Sequence, residues 1–357
     1  MFLLDKYSIN EPSDVLFHYN LYKKLLKLNN LNSWMDDDIN IKSKFCNIPN
    51  LLIYGKNGCG KRSLINLFLK TIYGKDLKSI NVKYTINGYG SNNIEIELRQ
   101  SLYHIEIIPT NTGLDKYLVQ EVIKKYASRN VLSFNTDITF KIIWIQGIDN
   151  MSYYAQTALR CIMEKYSKVC KFILTSKQLS KVIEPLRSRC LNVRVPLPTN
   201  KDIMRVLMNI SYQEDKFLDL EQYSNIIAIS KNNIKMAIIY LEMIFYNIPI
   251  EFSWEKQLKM LIKTFQKILT SKIAQKDIDD IRLILYKIFI TNINGTIIIK
   301  ELLKQIILSL KDYSLSYEII DICTQYENSL ANGKRSIIHL EAFIFSILEF
   351  LYKKYNM

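Results

Sequence analysis

The stretch that decides the fold is LLIYGKNGCGKRSLINLFLKTI, residues 51–72. It opens with a short apolar run, passes through three glycines packed into six residues, and ends in apolar residues at helical spacing. A short apolar run followed by turn residues predicts a buried strand, and apolar residues three and four positions apart predict a helix. The order strand, glycine-rich loop, helix therefore predicts one unit of a parallel α/β sheet.

The loop of this unit has the spacing GxxxxGK, which is typical of a phosphate-binding loop. Its residues are Gly55, Lys56, Asn57, Gly58, Cys59, Gly60 and Lys61. Glycines let the backbone curl so that its N–H groups and the helix N-terminus point at phosphate oxygens, while the lysine reaches the terminal phosphates. We interpret the loop as a site for ATP or ADP; the alternative is a glycine-rich turn with a chance lysine.

The residue after the loop lysine departs from the pattern. A serine or threonine hydroxyl is expected there as a ligand of Mg²⁺. The chain instead has Arg62, and Ser63 comes one residue late, at a different angle around the helix. Binding of Mg²⁺ is therefore predicted to be impaired, and we assign no metal site.

A second departure follows the predicted strand Ile142–Ile145. An acidic pair is expected at its end, one residue to hold the metal and one to orient water, but Gln146 and Gly147 stand there. Asp149 lies two or three residues past the strand end, where we expect it to cap the next helix. The sequence thus predicts a site that binds a nucleotide and hydrolyses it poorly.

The first half of the chain alternates short apolar runs with helical segments, which predicts a parallel sheet covered by helices on both faces. Ile142–Ile145, Phe172–Leu174 and Leu191–Val195 are predicted to be buried or central strands, and His104–Ile108 is a further strand. Val82–Ile86 and Ile94–Leu98 are predicted to form a half-exposed hairpin around Gly88, Tyr89 and Gly90. Prolines end the last strand, and Thr199–Asn200 can cap a new helix. Apolar residues at helical spacing predict that the last third is a helical domain.

The charge balance favours a polyanionic partner. There are 48 basic and 34 acidic residues, a net charge of +14 and a pI of about 9.2, which fits nucleic acid but also a lysine-rich solvated surface. Six scattered cysteines without a CxxC pair, and only three histidines, argue against a zinc site and against disulfides. The apolar runs fall short of the roughly 20 residues that a bilayer span needs, so we predict no membrane segment.

Four further stretches carry a resemblance to a known family. They are Asp5-Lys6-Tyr7, residues 102–127, residues 155–198 with Ser188-Arg189-Cys190, and residues 333–355. Together with the loop they resemble the replication factor C small subunits of the sliding-clamp loader. The resemblance implies an AAA+ P-loop domain at 1–198, a small helical lid at 199–252 and an all-α collar domain at 253–357. Two departures are features of one member of this family: a basic residue after the loop lysine, and a strand that lacks its carboxylate. By this resemblance the chain is similar to the subunit at the end of the arc that the five subunits form, which is called three in animals and five in yeast.

The resemblance also implies partners and roles. Such subunits form a hetero-pentamer that opens the clamp PCNA around primer-template DNA, and they work in the nucleus. Arg189 would be an arginine finger completing the ATP site of the neighbouring subunit. Lys177 and Lys235 stand at the family's two sensor positions, and Lys235 could still contact a phosphate. Tyr7 belongs to a box that lines the adenine pocket, although the family's next two residues are replaced here by Ser8-Ile9.

Four basic residues are candidates for DNA contacts. By the resemblance, Lys116, Lys124, Lys125 and Arg160 lie on two helices that face the central channel. Cations there would neutralise phosphates without reading bases, so binding would be independent of sequence and sensitive to salt. A solvated helix face is the alternative for the lysines, and a surface ion pair is the alternative for Arg189.

Three other functions remain open on the sequence. The first is an autonomous ATPase that uses Asp149 as its carboxylate. The second is a scaffold subunit with neither nucleotide nor a trans arginine. The third is a subunit of an alternative loader with a different large subunit.

Overall fold

The computed structural model describes residues 2–9, 11–27, 48–73, 79–87, 93–109, 115–128, 140–167, 169–248, 253–270, 275–290, 293, 295–309, 315–333 and 336–355. These residues belong to two compact units, 1–248 and 249–357. The predicted hairpin turn at Gly88, Tyr89 and Gly90 lies outside the described residues.

The first unit is built on a seven-stranded sheet with strand order β2-β3-β4-β5-β6-β1-β7. The strands are β1 Leu51–Tyr54, β2 Ile80–Asn87, β3 Asn93–Gln100, β4 His104–Ile107, β5 Lys141–Ile145, β6 Cys170–Ser176 and β7 Leu191–Arg194. Strands β4, β5, β6, β1 and β7 run parallel, while β2 and β3 form an antiparallel hairpin at one edge. The predicted strands and hairpin are confirmed, but the expectation that Leu191–Val195 is buried or central is wrong: β7 is the edge strand beside β1, and three of its four residues are exposed.

Helices cover both faces of this sheet, as predicted. The α-helices of the first unit are α1 Leu3–Lys6, α2 Tyr19–Lys27, α3 Lys61–Tyr73, α4 Asp115–Tyr117, α5 Lys124–Ser128, α6 Tyr153–Lys165, α7 Glu184–Arg187, α8 Asn200–Gln213, α9 Leu220–Ser230 and α10 Ile234–Phe245. A π-helical segment, Leu118–Ile123, joins α4 to α5. Ile53 and Trp144 pack with α2 and α3, whereas Leu52 and Ile143 pack with α5 and α6. Because both faces are buried, the central strands are mostly apolar.

The three helices after the sheet also belong to the first unit. Helix α8 begins as predicted, since the Thr199 side chain accepts a hydrogen bond from Asp202 N and the Thr199 backbone N–H donates to the Asp202 side chain. This reciprocal cap satisfies two backbone donors at the helix N-terminus. The N-terminal α1 packs on α10, where Leu3 N donates to Glu242.

The second unit is helical, as the periodicity predicted. Its helices are α11 Ser253–Thr270, α12 Gln275–Ile290, α13 Gly295–Ser309, α14 Leu315–Asn332 and α15 Ser336–Tyr355. One apolar core joins them, and α12 contributes Ile281, Leu285 and Ile288 to it. No helix in the described part of either unit is long and apolar enough to cross a membrane.

Strand β4 carries a buried histidine that makes stability depend on pH. Burial, with a smaller contribution from Arg99, lowers the pKa of His104 from 6.5 to about 4. Its Nδ1 lies 2.5 Å from Ser101 Oγ. The folded state therefore keeps His104 neutral while the unfolded state takes up a proton below about pH 6.5.

We expect the free energy of unfolding to fall by about 3 kcal/mol as the pH drops from about 6.5 to 4, and this contribution to be fully present above about 6.5. The measurement is urea denaturation of the wild type and of His104→Gln across this pH range. The difference between the two free energies of unfolding isolates the contribution of His104, because all other groups titrate in both proteins. Parallel pH profiles for the two proteins would contradict the assignment.

Candidate nucleotide site

The phosphate loop joins β1 to α3 at the carboxyl edge of the parallel strands. Gly58 has φ +74° and Gly60 has φ +87°, in the left-handed region that favours glycine. The N-terminus of α10 lies directly on the loop, because Ile234 N donates to Gly58 O at 3.1 Å. A Cβ on Gly58 would lie 1.7 Å from Asn233 Oδ1, an atom that also caps α10 by accepting from Met236 N. The loop can therefore keep this backbone path only with glycine at Gly58.

The loop lysine is turned back onto its own loop. Lys61 Nζ donates to the carbonyls of Gly55 and Lys56, at 2.5 and 2.8 Å. A phosphate in the loop would compete for these protons as a charge-assisted acceptor. Of the other loop residues, Cys59 is fully buried, and Lys56 and Asn57 are exposed.

A cavity of about 260 Å³ lies beside the loop at the carboxyl ends of β1, β4, β5 and β6. Its lining includes the cations Lys61, Arg62 and Lys177, and no acidic side chain among the described residues. Trp144 also lines it, and within the described part of the chain its buried Nε1 has no hydrogen-bond partner. The cavity is chemically suited to an anion with several oxygens.

A buried carboxylate that the sequence analysis missed lies next to this cavity. Glu106 on β4 is only 5% exposed, and its Oε1 accepts from Arg62 Nη2 at 3.1 Å. The same oxygen accepts from the side-chain amide of Gln146, and Arg99 Nη1 lies 3.8 Å from Oε2. The two residues that replace metal ligands are thus bonded to one carboxylate. The only sequence signal was a charged residue inside the apolar strand HIEI.

The cavity does not provide the ligands that Mg²⁺ needs. Mg²⁺ in phosphate-loop proteins is held by a hydroxyl next to the loop lysine and by a strand-end carboxylate. Arg62 stands at the position of the hydroxyl and Gln146 at the position of the carboxylate. Both side chains donate hydrogen bonds to Glu106 Oε1. No group of three or more His, Cys, Asp or Glu side chains suited to a metal ion occurs among the described residues.

The expectation that Asp149 caps the next helix is wrong. After Gly147 the chain makes a 3-10 turn over Ile148–Asn150, so the helix starts later and Ser152 caps α6 by accepting from Ala155 N. Asp149 Oδ1 instead accepts from Lys177 N at 3.2 Å. Asp149 therefore fixes the loop after β6, and it is not among the residues that line the cavity.

Three predicted nucleotide contacts, Tyr7, Ser63 and Lys235, lie outside the cavity lining. The Tyr7 hydroxyl donates to Glu214 at the end of α8, at 2.6 Å, and Lys6 Nζ pairs with the same oxygen at 2.7 Å. Burial raises the pKa of Tyr7, and the Lys6 hydrogen bond lowers the pKa of Glu214. Lys235 is exposed in the first turn of α10, two residues after Asn233, and Ser63 is half-buried on α3.

Arg189 lies in the turn between α7 and β7, at the predicted helix-to-strand corner. Its Nε donates to Glu164 Oε1 at 2.6 Å, and its Nη1 donates to Pro185 O at 2.8 Å. In the isolated chain Arg189 thus forms a surface ion pair, the alternative to a finger. Both side chains remain exposed to solvent, so the pair is held weakly.

The four candidate DNA residues lie on neighbouring helices of one sheet face. Lys116, Lys124 and Lys125 are exposed on α4 and α5, and Arg160 is half-buried on α6. Both segments bury their apolar faces in the same core cluster, so their outer faces lie side by side. This arrangement places four cations on one surface without showing what they bind.

Comparison with known proteins identifies the family. Residues 51–197 match the ATPase family associated with various cellular activities (AAA), and residues 254–355 match the C-terminal domain of replication factor C subunit 3. The chain is 35% identical, over 98% of its length and 91% of the relative, to an Acanthamoeba polyphaga mimivirus protein named as a replication factor C small subunit. The chain belongs to the replication factor C small subunits.

Two more relatives of this small subunit agree with the type that the resemblance implied. It is 33% identical to replication factor C subunit 3 of Homo sapiens, over 86% of this chain and 87% of that one. It is 30% identical to replication factor C subunit 5 of Schizosaccharomyces pombe, over 96% of this chain and 95% of that one. The AAA α/β domain and the helical C-terminal domain expected from the sequence are confirmed.

Proposed function

We propose that this small subunit takes part in loading the sliding clamp PCNA onto primer-template DNA, as the end-of-arc member of a hetero-pentamer. The observation that carries the proposal is the similarity, over nearly the full chain, to replication factor C subunits named three and five. Because the chain belongs to the replication factor C small subunits, we also propose that it is located in the nucleus. We further propose that it is divided into an AAA+ domain, a lid at 199–252 and a collar.

The nucleotide site binds ATP or ADP and contributes no hydrolysis of its own. The glycine loop and the three cations of the cavity support binding of a polyphosphate. The absence of an acidic side chain from the described lining argues against a residue that activates water. In this role Lys235, in the first turn of the helix that contacts Gly58, reaches the phosphates from the lid side.

Hydrolysis takes place in the neighbouring subunit, to which this chain donates Arg189. A guanidinium at an exposed corner can present a planar, permanently charged fork to a γ-phosphate. The ion pair with Glu164 exchanges for the phosphate when the neighbour docks, because an exposed pair is worth about 1 kcal/mol or less.

Two surfaces support assembly around DNA. Lys116, Lys124, Lys125 and Arg160 provide a basic face for the phosphate backbone, in keeping with the net charge of +14. In the helical unit, Leu283, Tyr286 and Ile290 form an exposed apolar stripe on α12, opposite the residues that enter the core. Such a stripe is suited to contacts with other subunits.

The test is co-purification of the tagged full-length chain, followed by reconstitution. We expect four related AAA+ subunits to travel with it and the complex to load PCNA onto primed DNA. Sustained Mg²⁺-dependent ATP turnover by the purified chain alone would favour the autonomous ATPase instead. The identity of the large subunit that co-purifies distinguishes the replicative loader from an alternative loader.

A further inference from the structure

The cluster Arg62–Glu106–Gln146 places a fixed positive charge beside the phosphate loop. Arg62 follows the loop lysine directly and lines the cavity, and one of its guanidinium nitrogens is bonded to Glu106. Glu106 is buried and shared with the amide of Gln146, so the carboxylate cannot turn toward the cavity without losing both bonds. Glu106 is therefore a positioning residue for Arg62, whose half-exposed guanidinium keeps further donors beyond the one bonded to Glu106.

This arrangement reverses the electrostatics of a magnesium site. In such a site protein acids and a hydroxyl hold the cation, and the cation neutralises the phosphates. Here the lining has three cations of its own, Lys61, Arg62 and Lys177, and even with the adjacent Glu106 the surroundings carry a net positive charge that can neutralise part of the charge on a diphosphate or triphosphate. A metal ion entering with the nucleotide would meet these cations at close range and find no carboxylate among the described lining residues.

We propose that Arg62, held by Glu106, is a built-in counter-ion that replaces Mg²⁺, so that this chain binds ADP or ATP in the metal-free form. The inference rests on the proposed nucleotide site and adds which ionic form of the nucleotide that site takes. Guanidinium contacts to phosphate are charge-assisted and can be bidentate, which makes Arg62 a fitting substitute for a cation that bridges phosphate oxygens.

The experiment is equilibrium binding of a fluorescent ADP analogue to the full-length chain, once in EDTA and once in excess Mg²⁺ at equal ionic strength. We expect the dissociation constant in EDTA to be equal to, or lower than, that in Mg²⁺. The double variant Arg62→Ala/Glu106→Gln should weaken ADP binding in EDTA about tenfold or more. It removes both charges together, so that no buried carboxylate is left without its arginine.

Two variants sharpen the result. Arg62→Ser/Glu106→Gln/Gln146→Asp restores a hydroxyl and a strand-end carboxylate without leaving buried Glu106 unpaired, and it should bind more tightly in Mg²⁺ than in EDTA. Arg99→Gln removes the other arginine near Glu106, which contacts the opposite oxygen and does not line the cavity, and it should leave the affinity unchanged. Melting curves without nucleotide identify any variant that fails to fold.

The outcomes separate this inference from the proposed site. Suppose that Lys61→Ala abolishes ADP binding, but that the wild-type chain binds ADP tenfold or more weakly in EDTA than in Mg²⁺. That result would overturn the inference and leave the proposed nucleotide site standing. An unchanged affinity of the Arg62→Ala/Glu106→Gln variant in EDTA would also overturn it. No binding in either condition would overturn both.

Discussion

Changing Arg189 to alanine should lower ATP hydrolysis at the neighbouring subunit's site by about 10³-fold or more, since an arginine finger supplied in trans contributes about 10³ to 10⁵ in rate. Within the described part of the chain, the hydrogen-bond partners of Arg189 are Glu164, Pro185 and Ser188, and none of them lines its own nucleotide cavity. The reconstituted complex should therefore lose as much steady-state ATPase activity as a complex whose neighbouring subunit lacks its own phosphate-loop lysine. Combining both changes should lower the rate no further, because each disables the same site.

Three variants distinguish an arginine finger from a structural ion pair at this corner. Arg189→Lys keeps the charge but not the planar fork, so it should recover only part of the rate. Glu164→Gln breaks the surface ion pair and leaves the guanidinium, so a loss equal to that of Arg189→Ala would indicate a structural ion pair rather than a finger. Arg205→Ala, an exposed arginine on α8, is the matched control and should have no effect. Unchanged hydrolysis in Arg189→Ala would support the scaffold interpretation.

Replacing Gly58 by alanine should lower the free energy of unfolding of the first unit by about 2 kcal/mol and weaken nucleotide binding at least tenfold. About 1 kcal/mol comes from an alanine in the left-handed region, and about 1 kcal/mol from displacing Asn233, which caps α10. Nucleotide binding weakens because the same shift moves the loop N–H groups away from the phosphates. Urea denaturation and ADP binding measure the two effects.

The double variant Gly58→Ala/Asn233→Gly tests the cause. Removing the Asn233 side chain relieves the 1.7 Å overlap while the backbone strain remains, so the double variant should be more stable than Gly58→Ala alone. If the double variant is no more stable, the contact between the loop and α10 does not explain the requirement for glycine.

Much of the fold could be predicted because its signals are local. The strand–loop–helix unit, the antiparallel hairpin and the Thr199 cap each depend on residues within a few positions of one another. The error at Asp149 came from a boundary: a 3-10 turn of three residues delays the start of α6, and Ser152 takes the capping position. Turns of this kind depend on surrounding contacts that spacing does not encode.

The sequence by itself determined that a phosphate loop is present and that the residues expected to hold Mg²⁺ are missing from it, because both are statements about residue type at fixed spacing. Only the tertiary structure decided what the replacements do. Arg62, Glu106 and Gln146 lie on three different elements, 44 and 40 positions apart, and Glu164 lies 25 positions from Arg189. Parallel strands that end at one edge bring such distant residues into contact, and burial of Glu106 away from water gives its bonds to Arg62 and Gln146 their strength.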